Sequence, residues 1–219
     1  ADKEKLLEHA FTEYADSGVE PAPALPTPPF WGAQAVGPDE LDLGTVLQYV
    51  NKKSLFRLQW QYRQGKRSEE TYKKFVAEFV EPRFKEWQQR IKAEKTLEPR
   101  VVYGYWPCYS ERNSLIVLDP ADRARELCRF DFPRQPGGRR LCLSDFFRRQ
   151  GAELDVVGFS LVTMGAVATR ESERLFHDNR YDDYLHFHGL SVEGAEALAE
   201  YWHKRMRQQL GIAADDAPD

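Results

Sequence analysis

The side chains best suited to chemistry lie in the last third of the 219-residue chain. His186-Phe187-His188, with Asp182 and Asp183 just before it, carries the residue types of a metal site. Imidazoles two positions apart converge from a strand and diverge on a helix. This stretch reads as helix, so solvated or core-capping histidines are expected and no metal is assigned. Glu196, Glu200 and His203 follow one another at helical spacing beside an apolar stripe. They form either a polar edge facing a ligand or a solvated flank steadied by a Glu200–Lys204 pair, worth a few tenths of a kcal/mol. Thr163-Met164-Gly165 ends an apolar run before a helix, a place where backbone N–H groups become available to ligands. The chain has no GxSxG, phosphate-loop, GxGxxG or HExxH pattern, and no catalytic residue is assigned.

Composition narrows the field. Hydrophobic residues make up 42% of the chain and aromatics 13%, enough for a core without covalent staples. A formal charge of −4 offers no basic field for a nucleic acid backbone, so no nucleic acid partner is expected. The three cysteines, Cys108, Cys128 and Cys142, are widely spaced without a CxxC pair, which suits reduced thiols in the cytoplasm better than disulfides or zinc. No apolar run has the length of a membrane span, and no membrane partner is expected.

The elements that would hold these residues can be read in order. Lys3–Ala15 has the spacing of one short helix. Ser17–Pro29 contains five prolines and reads as an extended linker, which Phe30 and Trp31 dock onto the globular body. Asp42–Lys53 has a helical pattern. Phe56–Tyr62 alternates apolar and polar residues, and both a strand and a helical continuation remain open there. Ser68 is an N-cap for a helix that Pro82 kinks or restarts, with Phe84, Trp87 and Ile91 along its stripe.

Leu97–Pro120 reads as a hairpin at the centre of a sheet, its turn at Ser110–Asn113, with Pro107 ending the first ladder or sitting where no N–H is needed. Glu126–Phe132 reads as a strand, and Leu141–Phe147 as a short helix capped by Ser144. Asp155–Gly165 reads as a strand buried on both faces. Arg170–His188 reads as one helix and the last helix starts at Ser191, with Ala195, Leu198, Trp202, Met206 and Leu210 facing inward and Gly211 as C-cap. The order implies an α+β domain with helices covering a mostly antiparallel sheet.

The wording of the chain carries a resemblance. AEKTLEPR at 93–100, VVYGYWPCYSERNSLIVLDP at 101–120, LCLSDFF at 141–147, YDDY at 181–184 and AEYWHKR at 199–205 are similar, in consistent order, to the carboxyl-terminal activation domain of cobalamin-dependent methionine synthases. The match runs from about Trp31 to about Leu210. It implies a C-shaped α+β fold with a long, mostly antiparallel sheet and flanking helices. It implies an N-terminal helix and linker at 1–29, the activation domain at 30–212 and a tail at 213–219.

The resemblance further implies a module that binds S-adenosylmethionine and caps cobalamin held by another domain of the same polypeptide. Flavodoxin or a similar reductase would supply an electron, and S-adenosylmethionine the methyl group, when the cofactor has been oxidised. The isolated chain is not expected to turn over. Two ligand-site positions carry over: Glu196 matches a glutamate at the family's ligand site, and Asn51 falls where the family has an acidic residue near the ligand's amino group. Asn51 can accept a hydrogen bond but offers no negative charge. The family's main ligand-binding phrase, an arginine followed by Gly-Tyr-Pro-Ala-Cys-Pro, does not occur in these 219 residues. The chain is therefore expected to be a fragment or a shortened member with weakened S-adenosylmethionine binding; the alternative is a structural cap that docks a reductase without that ligand.

Overall fold

The structure, a computed structural model, describes residues 15–214 and 216, so the helix expected over Lys3–Ala15 falls almost wholly outside the described residues. The chain divides into two compact units. One contains Tyr103–Phe159 with the flanking segments Ala1–Ala33 and Met206–Asp219; the other contains Gln34–Val102 and Ser160–Arg205.

The sheet has five strands: β1 (Gly32–Val36), β2 (Arg100–Glu111), β3 (Ser114–Leu118), β4 (Glu126–Asp131) and β5 (Asp155–Thr163). They run in the order β1-β2-β3-β4, with β5 also pairing β2. The β2–β3 and β3–β4 ladders are antiparallel, with Cys108 opposite Val117 and Leu115 opposite Phe130. β2 is the central strand, as expected, but it runs unbroken through the buried Pro107. The turn shrinks to Arg112-Asn113, with Arg112 at φ 52°. Pro107 lies just outside the β2–β3 register, which begins with Cys108 opposite Val117.

Gly104 shows why β1 can lie so close to β2. A Cβ there would meet the carbonyl oxygen of Gly32 at 1.9 Å. Next to it, Phe30 packs edge-on against Tyr103 and Tyr105, with centroids 5.4 and 5.3 Å away, so the expected docking of Phe30 is present. The guanidinium of Arg123 sits 5.5 Å above the Trp31 ring.

Two readings in the sheet unit need correction. The turn of 3₁₀ helix at Leu143–Phe146 is capped at Cys142, not Ser144. Ser144 is buried and donates instead to the Arg112 carbonyl at 2.8 Å. The capping is done by Asp145, whose carboxylate takes the Cys142 N–H at 2.9 Å while gripping the buried Arg134 with two 2.8 Å bonds. Strand β5 is not buried on both faces: Phe159 and Leu161 are exposed. Its apolar run supplies Val157 to a small core with Cys108, Leu115 and Val117, leaves Val156 and Val162 half-buried and exposes residues 158–161.

The helices are α1 (Leu43–Val46), α2 (Lys52–Ser54), α3 (Glu69–Phe75), α4 (Glu81–Glu94), α5 (Ala166–His177) and α6 (Tyr181–Gln209), all in the other unit except residues 206–209 of α6. Asp42 caps α1 through the N–H groups of Gly44 and Thr45 at 3.1 and 2.9 Å. Residues Leu55–Gln59 form a π-helical turn, so the alternating stretch is the helical continuation and not a strand. Ser68 caps α3 through the Thr71 N–H, and a π-turn at Val76–Val80 carries it into α4, with Pro82 in the first turn, where no N–H is needed.

The helix expected over Arg170–His188 is instead the end of α5 and the start of α6. The chain breaks at 178–180, where Asn179 takes a left-handed φ of 58°. Ser191 therefore lies inside α6, yet the predicted stripe holds: Leu198, Trp202 and Met206 are buried. Among the described residues, no helix is long and apolar enough to cross a membrane.

Two outcomes follow from the sheet unit. Gly104→Ala drives a methyl into a backbone carbonyl and should lower stability by about 2–3 kcal/mol, read as a fall in the urea midpoint. An unchanged midpoint would mean that β1 does not approach β2 this closely. The second concerns Asp145. Burial pushes its carboxyl up, but Arg134, the Ser17 hydroxyl and the Cys142 N–H outweigh that and hold it below the ordinary carboxylate range. The unfolded chain thus binds this proton more readily, so the stabilisation is full above about pH 4 and is lost as pH falls through the lowered value. Asp145→Asn, which leaves Arg134 without its carboxylate, should cost about 3 kcal/mol near neutral pH and flatten the acid limb of the stability profile.

Candidate functional site

The geometry that matters lies where residues 49–60 pass along α6. Trp60 is buried and donates its indole N–H to the His186 carbonyl at 2.9 Å. Its ring lies 4.7 Å from the His186 ring and 5.5 Å from Phe56. This pass is close because α6 carries Gly189 beneath it: a Cβ there would lie 2.7 Å from the Cβ of Gln59 and 3.1 Å from the Trp60 ring.

His186 is part of this core. Its Nε2 pairs with the Tyr62 hydroxyl at 2.8 Å and its Nδ1 with the Asp182 carbonyl at 2.7 Å. His188 stacks on Tyr184 one turn away, with centroids 5.3 Å apart. The two imidazoles thus make separate contacts. Among the described residues no group of three His, Cys, Asp or Glu side chains is gathered to hold a metal ion.

One turn further along α6, Glu193 is a buried carboxylate, only 5% exposed. It accepts from the Ser54 hydroxyl at 2.6 Å and from the Gln59 amide at 3.3 Å. From sequence Glu193 reads only as an acidic residue in the first turn of a helix starting at Ser191; it lies instead well inside α6. The signal was present, since an acidic residue interrupts the buried positions Leu190, Ala197 and Leu198 of the same helix.

The Ser54–Glu193 bond places the two carried-over positions on neighbouring turns. Asn51 is one turn before Ser54, caps α2 by accepting the Ser54 N–H at 3.1 Å, and is exposed. Glu196 is one turn after Glu193 and is exposed. Tyr49 and Tyr201 meet beyond them at 5.4 Å, so the two segments run side by side through this stretch. Glu200 and His203 are also exposed on α6.

On its other flank, α6 faces α5 across a cleft of about 590 Å³. Thr163, Met164 and Gly165 form one end of its wall; His177 comes from α5, and Tyr184, His188 and Val192 from α6. The expectation of free N–H groups at this strand end needs amending, because the Gly165 N–H is taken by the Thr163 hydroxyl at 3.0 Å. At about 100° per residue, Glu196 lies roughly 40° around the helix from Val192 and 60° from Glu193. It therefore stands on the rim between the cleft and the turn that carries Asn51.

A family profile described as the activation domain of vitamin B12 dependent methionine synthase matches residues 42–219. The chain is 40% identical over 202 residues to the methionine synthase of Mycobacterium tuberculosis, covering 88% of this chain and 17% of that protein. It is 40% identical over 200 residues to the methionine synthase of Mycobacterium leprae, covering 87% and 16%. The chain thus spans about a sixth of the length of the curated relatives it matches. A crystal structure of the MetH reactivation domain bound to AdoHcy superposes with a TM-score of 0.72 at 22% identity, covering 97% of this chain and 66% of that one. That likeness agrees with the α+β fold of antiparallel sheet and flanking helices. On the match over residues 42–219, the chain belongs to the family of activation domains of vitamin B12-dependent methionine synthases.

Proposed function

We propose that this chain is the reactivation module of a cobalamin-dependent methionine synthase, the enzyme that methylates homocysteine with methyltetrahydrofolate. The observation that carries this reading is the family match over residues 42–219. In this reading cobalamin, held by a neighbouring domain of the same polypeptide, supplies the methyl-accepting metal centre. Flavodoxin or a similar reductase delivers an electron and S-adenosylmethionine delivers the methyl group. The three free thiols suit a cytoplasmic setting.

The chain's own task is to hold the sulfonium ligand in place and keep water away, which converts a bimolecular encounter into a positioned one. Support for such a ligand comes from the AdoHcy bound to the structurally similar MetH domain. The acceptor set suits an ammonium group. Glu196 offers an exposed carboxylate, and the Asn51 amide oxygen, already accepting from Ser54, keeps a second lone pair. Glu193, locked by Ser54 and Gln59, acts as a positioning residue that fixes the Asn51 turn against α6.

Calorimetric titration with S-adenosylmethionine tests this. Asn51→Asp keeps a capping oxygen and adds a negative charge, so binding should tighten about threefold, or ~0.6 kcal/mol, the range of an exposed ion pair. Glu196→Gln should weaken binding by a similar factor, with the unfolding midpoint within about 0.5 kcal/mol of the unaltered chain. No heat at millimolar ligand would contradict binding by this chain. Equal affinities in both variants would remove Asn51 and Glu196 from the site.

A further inference from the structure

The proline-rich segment is strapped to the sheet unit by arginines. Arg139 donates to the Ser17 carbonyl at 3.2 Å, and Arg148 donates to the carbonyls of Ala22 and Pro23 at 3.3 and 2.8 Å. Arg149 approaches the Asp16 carboxylate at 3.6 Å, and the Ser17 hydroxyl bonds to Asp145, the partner of buried Arg134. A turn at the start of the segment aims it: Gly18 has φ +65° and donates its N–H to Asp16 at 3.0 Å.

The chemistry is selective for an extended, proline-rich chain. Such a segment has no internal hydrogen bonds, and its prolines offer carbonyls without competing N–H donors. Guanidinium groups, which only donate, are matched to it. The Arg149–Asp16 pair is exposed, its side chains 66% and 68% accessible, whereas the Arg148 side chain is 20% accessible. Salt screens the Arg149–Asp16 pair, and the guanidinium–carbonyl bonds of Arg139 and Arg148 can be exchanged for bonds to water at little net cost, so the arrangement is reversible.

We propose that Arg139, Arg148 and Arg149 form a latch that holds Asp16–Pro23 on the sheet unit and whose release lengthens the tether ahead of Phe30. Phe30 stays packed on Tyr103 and Tyr105 in both states. At about 3.1 Å per residue, freed Asp16–Pro29 would add roughly 40 Å of reach. The use of that reach, letting the module leave and regain a neighbouring cobalamin domain, rests on the function proposed above; the latch itself does not.

The test is ¹⁵N relaxation on the 219-residue chain, without cobalamin or S-adenosylmethionine, so its outcome is independent of the functional reading. At low salt the amides of Val19, Glu20 and Ala22 should show order parameters near ~0.85, those of rigid backbone. They should fall below ~0.6 in the Arg139→Ala/Arg148→Ala double variant, which removes the donors to the Ser17, Ala22 and Pro23 carbonyls. Order parameters below ~0.6 in the unaltered chain at low salt would overturn the latch, as would values unmoved by the double substitution. Should the double variant lose its dispersed spectrum, the single variant Arg148→Met, which removes the donors to the Ala22 and Pro23 carbonyls, decides, and order parameters still near ~0.85 at Val19, Glu20 and Ala22 count against the latch.

Discussion

Everything at the candidate site depends on one close approach, the pass of residues 54–60 over Gly189 of α6. With a side chain at 189, Gln59 and the Trp60 ring would have to move outward, since a Cβ there would stand 2.7 and 3.1 Å from them. The indole bond to the His186 carbonyl and the Ser54 bond to Glu193 would then lengthen together. The pass fixes the rotation of the 51–54 turn relative to α6, and with it the relation of Asn51 to Glu196. A buried carboxylate is a costly group to spend on this unless its acceptors are filled, and Glu193 has two donors aimed at it.

The two units are held by different physics. Around Trp60, Phe56, Phe84 and Trp87 the helices share an aromatic core in which His186 is one more ring, with its nitrogens satisfied. In the sheet unit the decisive element is ionic. Arg134 is buried and spreads its donors over Asp145, Asn113 and the Arg140 carbonyl, tying the β2–β3 turn to the 3₁₀ turn. Most other ion pairs, such as Lys73–Glu69 and Arg174–Asp178, lie on the surface and contribute little each.

Much of this was legible from the chain. The hairpin, the Ser68 cap and the Leu198–Trp202–Met206 stripe depend on local pattern, and local pattern predicted them. Where pattern leaves a choice or misleads, tertiary context decides. Phe56–Tyr62 admits both a strand and a helical continuation, and the π-turn at Leu55–Gln59 takes the helical one. Apolar composition made β5 look doubly buried, yet nothing in its own sequence says whether a second layer covers it. The break at 178–180 rests on a left-handed Asn179 that no proline or glycine announced. Asn51 and Glu196 could be named only through family resemblance. Their neighbour Glu193 was open to physical reasoning, as a charge within a buried stripe.

In the function proposed above, S-adenosylmethionine binds where the 49–54 segment meets α6. Amide chemical-shift mapping of the ¹⁵N-labelled chain during S-adenosylmethionine titration tests it most directly. Saturable shifts should cluster at 49–54 and 192–200 and leave the β3–β4 ladder unmoved. Saturable shifts confined to the sheet unit, or no shifts at millimolar ligand, would contradict it.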